Sequence, residues 1–528
     1  MSRKIQDPEL MCQRRWLTLI VVCLGLMVIT LDNTILNVAI PRLSYDLHAS
    51  TSSLQWIVDI YVLIFAGLLL TAGSLGDRFG RYKALTFGLI VFGIGSLASA
   101  LSGSASALIA TRGFMGIGGA FIMPATLSII TNVFTDPRER GQAIGIWAGV
   151  AALGVGIGPV AGGFLLTHFY WGSVFFVNVP IVIAALIAGW FLVPDSRDPS
   201  APKLDPLGAV LSMVGLATLL WSIIEGPAHG WTSPSIVTGF VIGVVVLGLF
   251  VLWEMHYSSP MLDFRFFENP RFTVASMAIM LVFLALFGSL FLLTQYLQSV
   301  QGFTPLEAGA LVVPQAIVVM IVAPLSSARV QRYGNKVVVG LGMTVASLGT
   351  LGYVLFQIDS PVWLVIAVTM VIGLGMGNVM APATDSIMGS LPRAKAGVGS
   401  AMNDTTRQTG GAIGVALLGS VMASRFHSLV SSAPSLAHLP ASLAAEVRSG
   451  IGGAVTASQS PQAGAHAAAI QSVAKAAFMS GFHLAAAIAA GVVLCAAAGV
   501  FLWLPARETM NVPVVAPRAT DAALAFDD

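Results

Sequence analysis

Asp32, Asp59 and Arg112 stand inside long apolar runs, in a chain of which only 9% is charged. A lone charge at the centre of a membrane-crossing helix costs roughly 2.5–3.5 kcal/mol, so such residues persist where they have a partner or a task. Two carboxylates and one guanidinium leave one acid over. Burial favours the protonated form of an acid and a neighbouring cation favours the ionised form, so a spare carboxylate can trade its proton against an arriving cation. The chemistry on offer is exchange rather than covalent catalysis. Holding helices together is the plainer use of the same three side chains, and both uses stay open on the sequence. Trp56 lies three residues before Asp59 on one helix face, and an indole beside a carboxylate suits a lipophilic cation. Phe283, Phe287, Phe291 and Gln295 recur every four residues as one stripe, which fits helix packing or the wall of a binding cavity.

Helices must position these residues. Hydrophobic residues make up 56% of the 528, and the mean hydropathy of +0.86 is far above that of a water-soluble domain. Apolar runs, each of about twenty residues and able as helices to cross a hydrocarbon core of roughly 30 Å, follow one another along the chain. The short alternating segments of a porin-type barrel do not occur. Charged, Pro and Gly breaks delimit fourteen spans, beginning near residues 16, 54, 84, 106, 141, 173, 206, 234, 272, 306, 336, 361, 399 and 478.

Arg3, Lys4, Arg14 and Arg15 precede the first span, and basic residues then follow every second span: Arg78, Arg81 and Lys83, then Arg138 and Arg140, then Arg197 and Lys203. Arg265 and Arg271, then Arg329, Arg332 and Lys336, then Arg393 and Lys395 continue the series. The positive-inside rule therefore expects both termini in the cytoplasm. The first apolar run is long and lacks a small-residue cleavage site, so it reads as a retained helix rather than a signal peptide. With this orientation Asp32 lies about eight residues from the outer boundary, and Asp59 and Arg112 about six, which is roughly 9–12 Å deep for all three. They share one layer. Residues 425–477, rich in Ala, Ser, Gly and Pro, form an outer loop that reads as a mobile linker or a cap over the substrate. The net charge of +2 shows no basic stripe for nucleic acid, and Cys12, Cys23 and Cys495 are too scattered for a disulfide framework or a zinc site.

The chain also repeats itself. "LGDRFGRYK" is echoed by "ARVQRYGNK", with Lys336 at 336 − 83 = 253 positions past Lys83, and "GIGGAFIMPATLSII" by "GLGMGNVMAPATDSIM", with Pro382 at 382 − 124 = 258 past Pro124. Spans one to six thus correspond to nine to fourteen, and spans seven and eight are an inserted pair. Parallel repeats of six helices are an architecture of transporters that rock about a central site.

"GSLGDRFGRYK", with Gly76, Asp77, Arg78, Gly80, Arg81 and Lys83, resembles the signature of the major facilitator superfamily. "GVAALGVGIGPVAGG", with Gly154, Gly158, Pro159, Gly162 and Gly163, resembles that superfamily's antiporter motif. "LDNTILNVAIP" with Asp32, Asn37 and Pro41, and "NDTTRQTGGAIG" with Asn403, Arg407, Gln408, Gly410 and Gly411, resemble its fourteen-helix drug:proton antiporters. Met115 departs from that pattern, standing where the family commonly has Gln. Val319 and Asn403 stand in apolar or neutral surroundings in a second half sparse in acids, so a preference for dications does not follow. The resemblance implies gating by the signature residues, with Asp77 meeting the start of span thirteen, where the helix dipole favours an anion. Asp404 and Arg407, three apart in that span, are expected to pair locally and belong to the same gate. The span-five glycines are expected to allow close helix approach and a bend at Pro159.

The expectation is an all-α polytopic membrane protein of the major facilitator fold. Residues 1–197 form a six-helix bundle, 198–260 an inserted two-helix linker, 261–510 a second bundle and 511–528 a cytoplasmic tail. The resemblance implies a proton-coupled antiporter exporting lipophilic, cationic drugs across the inner membrane. Asp32, Asp59 and Arg112 would couple protons, and Trp56, Asp59, Phe287, Phe291 and Gln295 would meet the substrate. A monomer driven by the proton gradient, with no cofactor, metal or nucleic acid, is expected. An exporter of an endogenous lipid, amino acid or metabolite would use the same scaffold. A membrane sensor or enzyme is the reading from another class, but no Walker loop, zinc-ligand spacing or nucleophile elbow is present.

Overall fold

The computed structural model describes residues 8–47, 51–198, 205–257, 260, 262–436, 438–448 and 450–505. Arg3, Lys4, Lys203 and the 511–528 tail lie outside these residues, as do the side chains of Asn37, Pro41 and Asp59. Regular structure among the described residues is entirely helical. The first half comprises α1 (Pro8–Asp46), α2 (Thr51–Phe79), α3 (Arg81–Ala100), α4 (Ala105–Val133), α5 (Pro137–His168), α6 (Ser173–Phe176) and α7 (Asn178–Leu192). Two helices follow, α8 (Pro206–His229) and α9 (Pro234–His256). The second half comprises α10 (Pro270–Gln295), α11 (Pro305–Ala310), α12 (Val313–Tyr333), α13 (Asn335–Leu351), α14 (Val362–Gly389), α15 (Ala396–Ser431), α16 (Ala441–Arg448), α17 (Ile451–Gln459) and α18 (Ala467–Trp503). Among the described residues, fourteen segments are long and apolar enough to cross a membrane, so this is a multi-pass membrane protein.

Local chemistry starts the helices where the breaks are. Proline occupies the first turn of α5, α8 and α10, where a missing N–H costs nothing. The preceding Asp136, Asp205 and Asn269 side chains accept from the first-turn amides of Arg138, Gly208 and Arg271. α2 turns into α3 at Gly80 (φ 120°), and α12 turns into α13 at Gly334 (φ 83°), backbone angles that favour glycine. These two breaks lie 334 − 80 = 254 residues apart.

The repeat is written in the packing as well. Gly88 and Gly95 let α3 lie against α4, where added methyl groups would press on Gly118 and Met115. Gly342 and Gly349, each 254 positions later, do the same for α13 on α14, against Gly375 and Ile372. Lipid tails are as apolar as Leu and give helices no hydrophobic reason to associate, so close backbone approach at small residues supplies the attraction instead. α5 joins the halves: Gly145, Gly149 and Gly156 lie against Pro324, Met320 and Ala316 of α12.

α8 lies across the seam between α2 and α15. Leu220 packs with Leu63 and Ala66, beside Trp56, Trp221 and Ala412, and Gly67 meets Ala217. Trp231, just past α8, donates through Nε1 to Ser420 Oγ of α15 (2.9 Å). α9 packs on α8 and exposes Val237, Val241, Val244, Val245, Leu249 and Leu252.

The segment expected as a linker or cap over 425–477 differs from an open linker. α15 runs on to Ser431, α18 begins at Ala467, and α16 and α17 fill about half of the interval. The reason is a stripe, Leu443, Val447, Ile451 and Ala454, which recurs every three to four residues and is buried in the main core. These short helices cover the end of the second half away from the signature residues. There Tyr296, Tyr353, Phe356 and Phe482 stack with ring centroids 5.2–6.1 Å apart.

Candidate functional site

Five helices of the first half converge on Asp32. The carboxylate on α1 is fully buried and paired with Nη1 of Arg112 on α4. Its other oxygen accepts from Asn178 Nδ2 at the start of α7 (3.2 Å), and the same nitrogen lies 3.2 Å from Ser96 Oγ on α3. Arg112 donates through Nε to the Ile57 carbonyl of α2 (3.1 Å). Its guanidinium sits 4.4 Å from the centroid of Tyr61 and 5.9 Å from that of Phe175. Both charges are therefore neutralised and hydrogen-bonded inside a closed shell, which is what allows them at this depth. Met115 occupies this shell too: its sulfur accepts from Ser99 Oγ (3.4 Å).

The structure thus brings Asp32 and Arg112 together with the backbone of α2. Asp59 lies on α2 between Ile57 and Tyr61, and its side chain is outside those described. In helical register position 59 precedes Leu63 by four residues and Ala66 by seven, the stripe that packs on α8. Trp56 belongs to that same seam.

The second half holds a different arrangement. Asp404 and Arg407 are both buried on α15, but among the described residues they do not form the local ion pair expected from their spacing. Arg407 instead donates to Thr384 Oγ1 of α14 (3.0 Å) and is sandwiched between Trp147 of α5 (4.9 Å) and Phe283 of α10 (5.0 Å). Two ring faces and a hydroxyl thus hold the guanidinium, while its Nε is buried with no hydrogen-bond partner among the described residues. Asp404 accepts from Asn403 Nδ2 (3.3 Å), and its second oxygen is buried with no hydrogen-bond partner. The Phe283 and Phe287 rings lie tilted to each other with centroids 5.7 Å apart, and Phe287 and Phe291 lie over Gly411 and Gly419 of α15. Gln295 ends α10, half-buried.

The signature residues hold the two halves together. Asp77 accepts from the amides of Gly397 (2.9 Å) and Val398 (3.1 Å) in the first turn of α15. Arg81 donates to Asp77 through Nε (2.9 Å) and Nη2 (2.7 Å), and Nη2 also reaches the carbonyls of Arg393 (2.8 Å) and Ala394 (3.0 Å). Gly73 and Gly397 meet so closely that a methyl on either would strike the other's carbonyl. Gly76 gives α3 room to fold back, since a methyl there would lie 3.3 Å from Ala84 Cβ. Lys83 is exposed, and Arg78 leans on the Phe79 ring (5.6 Å). Two further ties cross between the halves on this side, Arg140 to Asp385 (2.7 Å) and Arg393 to the Thr135 carbonyl (3.1 Å).

The span-five motif faces α1 and α11. Methyl groups on Gly154 and Gly158 would collide with the Thr30 and Thr34 hydroxyls, and one on Gly162 with Ile35. Gly163 abuts Leu306, and Pro159 abuts Gly309. Sequence reasoning missed Asn178, Tyr61, Trp147, Thr384 and Asp385. Asp385 carried a usable signal, being an acid inside an apolar span; the others are ordinary residues until the fold juxtaposes them.

Comparisons with known proteins follow this geometry. The family model described as "Major Facilitator Superfamily" matches residues 22–415. The chain is 38% identical over 485 residues to the multidrug efflux pump LfrA of Mycolicibacterium smegmatis, covering 92% of this chain and 95% of that one. It is 35% identical to the tetracenomycin C resistance and export protein of Streptomyces glaucescens, covering 92% and 91%. The methyl viologen resistance protein SmvA of Salmonella typhimurium is 34% identical, with 82% and 86% covered. The crystal structure of the human organic anion transporter MFSD10 superposes with a TM-score of 0.57 at 15% identity, over 92% of this chain and 99% of that one, a likeness of fold alone.

Proposed function

The chain belongs to the major facilitator superfamily, in the branch that holds multidrug efflux pumps, and from that premise we propose a proton-coupled antiporter that exports lipophilic, cationic compounds by alternating access. The observation that carries this reading is the fully buried Asp32, held by an arginine from a second helix and an asparagine from a third. A carboxylate so enclosed and paired can take up a proton only when the bundle opens and the pair with Arg112 parts, which ties protonation to the transport cycle. Asp59 is the acid that answers to cargo, and Asp32 with Arg112 tunes or relays its proton. Trp56, Phe287, Phe291 and Gln295 offer aromatic faces and an amide to a flat, apolar cation. The proton gradient alone supplies the energy, and the working unit is a monomer.

The side bearing the signature residues is the cytoplasmic side of the inner membrane, and both termini lie there. In the present conformation Asp77, Arg81, Arg140 and Arg393 tie the halves together on that side, which corresponds to a stage of the cycle closed to the cytoplasm. Asp404 and Arg407 complete the gate from the second half. The relatives' names, a multidrug efflux pump and a resistance and export protein, agree with cargo moving outward.

Everted membrane vesicles test the reading. Adding a lipophilic cation to vesicles holding a proton gradient should partly collapse that gradient, and Asp59→Asn at normal protein level should abolish the collapse. A gradient untouched by a broad panel of cations, or an Asp59→Asn variant that still exchanges, would defeat it.

A further inference from the structure

The two halves repeat each other, and one contact fails to repeat. In the first half, three residues before the break at Gly80, Asp77 reaches across the seam to the first turn of α15. Three residues before the equivalent break at Gly334 stands Gln331, which brings no charge. Across from it is the first turn of α5, which is to the second half what α15 is to the first. Where the carboxylate would lie there is a cavity of about 360 Å³. Arg138, Arg271, Arg332 and Gln331 line it, with Asn335 and Asp385. Among the described residues the acid in this wall, Asp385, is tied to Arg140 (2.7 Å), and the guanidiniums of Arg140 and Arg271 both approach Gly389 at the end of α14. Arg138 and Arg332 have no carboxylate within ion-pair distance among the described residues, so this wall carries an excess of positive charge around a space large enough for a small ligand.

We propose that this cavity binds a phosphate-bearing anion, which supplies from outside the chain the negative charge that Asp77 supplies on the other flank. Guanidinium groups match phosphate oxygens in paired hydrogen bonds, and Arg138 belongs to the first half while Arg271 and Arg332 belong to the second. A bound phosphate therefore bridges the halves and favours the conformation in which the signature side is shut. A phospholipid headgroup and a soluble phosphate share this chemistry. The inference does not depend on the identity of the cargo and is read by binding rather than transport.

The test uses the purified full-length protein and two probes: phosphatidylglycerol in mixed micelles, followed by native mass spectrometry against phosphatidylcholine, and inorganic phosphate against chloride at equal ionic strength, followed by thermal unfolding. Three variants are compared with wild type: Arg138→Gln/Arg332→Gln, Gln331→Asp, and Arg197→Gln as an exposed cation elsewhere. The wild type and Arg197→Gln should retain phosphatidylglycerol over phosphatidylcholine. Gln331→Asp should lose that preference by about tenfold, the worth of one charge-assisted contact, and the double variant, which removes two cations, by at least as much. Protection by inorganic phosphate that is lost in the same two variants, without a lipid preference, would support the site with a soluble occupant. Equal behaviour of wild type and both cavity variants toward both probes would overturn it, as would an equal loss in Arg197→Gln. Gln331→Asp removes no side chain from the wall and decides the matter if the double variant does not fold.

Discussion

Arg112 and Arg407 are both buried, both stacked on aromatic rings and both close to an aspartate, yet they are anchored in different ways. Arg112 bonds its aspartate directly and keeps every partner within the first half. Arg407 leaves Asp404 aside and spreads across three helices, one of which, α5, belongs to the opposite half. A pair closed within one bundle moves as a unit when the halves swing. A guanidinium pinned across the seam must let go. The difference suggests a division of labour: the first half stores charge, and the second senses whether the halves are together.

The largest effect expected of any change that probes this contrast is that of Asp32→Asn. It leaves Arg112 buried without its counter-charge, at a cost of about 3–5 kcal/mol. Exchange in everted vesicles should vanish and the thermal midpoint should fall sharply; a midpoint like that of the wild type would erase the contrast. Arg407→Gln comes next. Losing a desolvated cation–π contact, worth about 2 kcal/mol, should weaken the seam and slow efflux by about tenfold, with a far smaller drop in thermal midpoint than Asp32→Asn. Trp147→Phe should fall between Arg407→Gln and wild type in efflux rate, since it keeps a ring face but drops the bond from Trp147 Nε1 to Thr126 Oγ1 (3.1 Å). Asp404→Asn breaks no ion pair among the described contacts, so its stability should stay within about 1 kcal/mol of wild type, the net worth of a single hydrogen bond. An Asp404→Asn variant as unstable as Asp32→Asn would show that the two halves hold their acids alike. Smallest of all should be Arg42→Ala, which removes an exposed pair with Asp46 (3.1 Å) and should leave both unfolding and efflux within error.

Much of this molecule is readable from its residues because the bilayer restricts the choices. Fourteen spans follow from apolar runs and their breaks, since a backbone crossing lipid must satisfy its own hydrogen bonds. The meeting of Asp77 with the start of α15 is readable from the signature's resemblance together with helix-end electrostatics, and the shared layer of Asp32 and Arg112 from counting residues inward. What escapes is whatever depends on side-chain direction. Asp404 and Arg407 are correctly spaced for a pair, but spacing does not reveal that two aromatic rings and Thr384 compete for the guanidinium. The outer segment escapes for another reason. In a stretch rich in Ala, Ser and Gly, the stripe of Leu443, Val447, Ile451 and Ala454 is thinly marked, and composition points to a linker where periodicity points to helices.

α8 touches α2 on one side and α15 on the other, and α9 presents its valines and leucines outward behind it. A solute dissolved among the acyl chains meets a wall on that flank rather than a window. Greasy molecules drifting in the leaflets would have to approach this protein from elsewhere around its rim, so shortening the chain to twelve crossings would change which direction its cargo can come from before it changed what the cargo is.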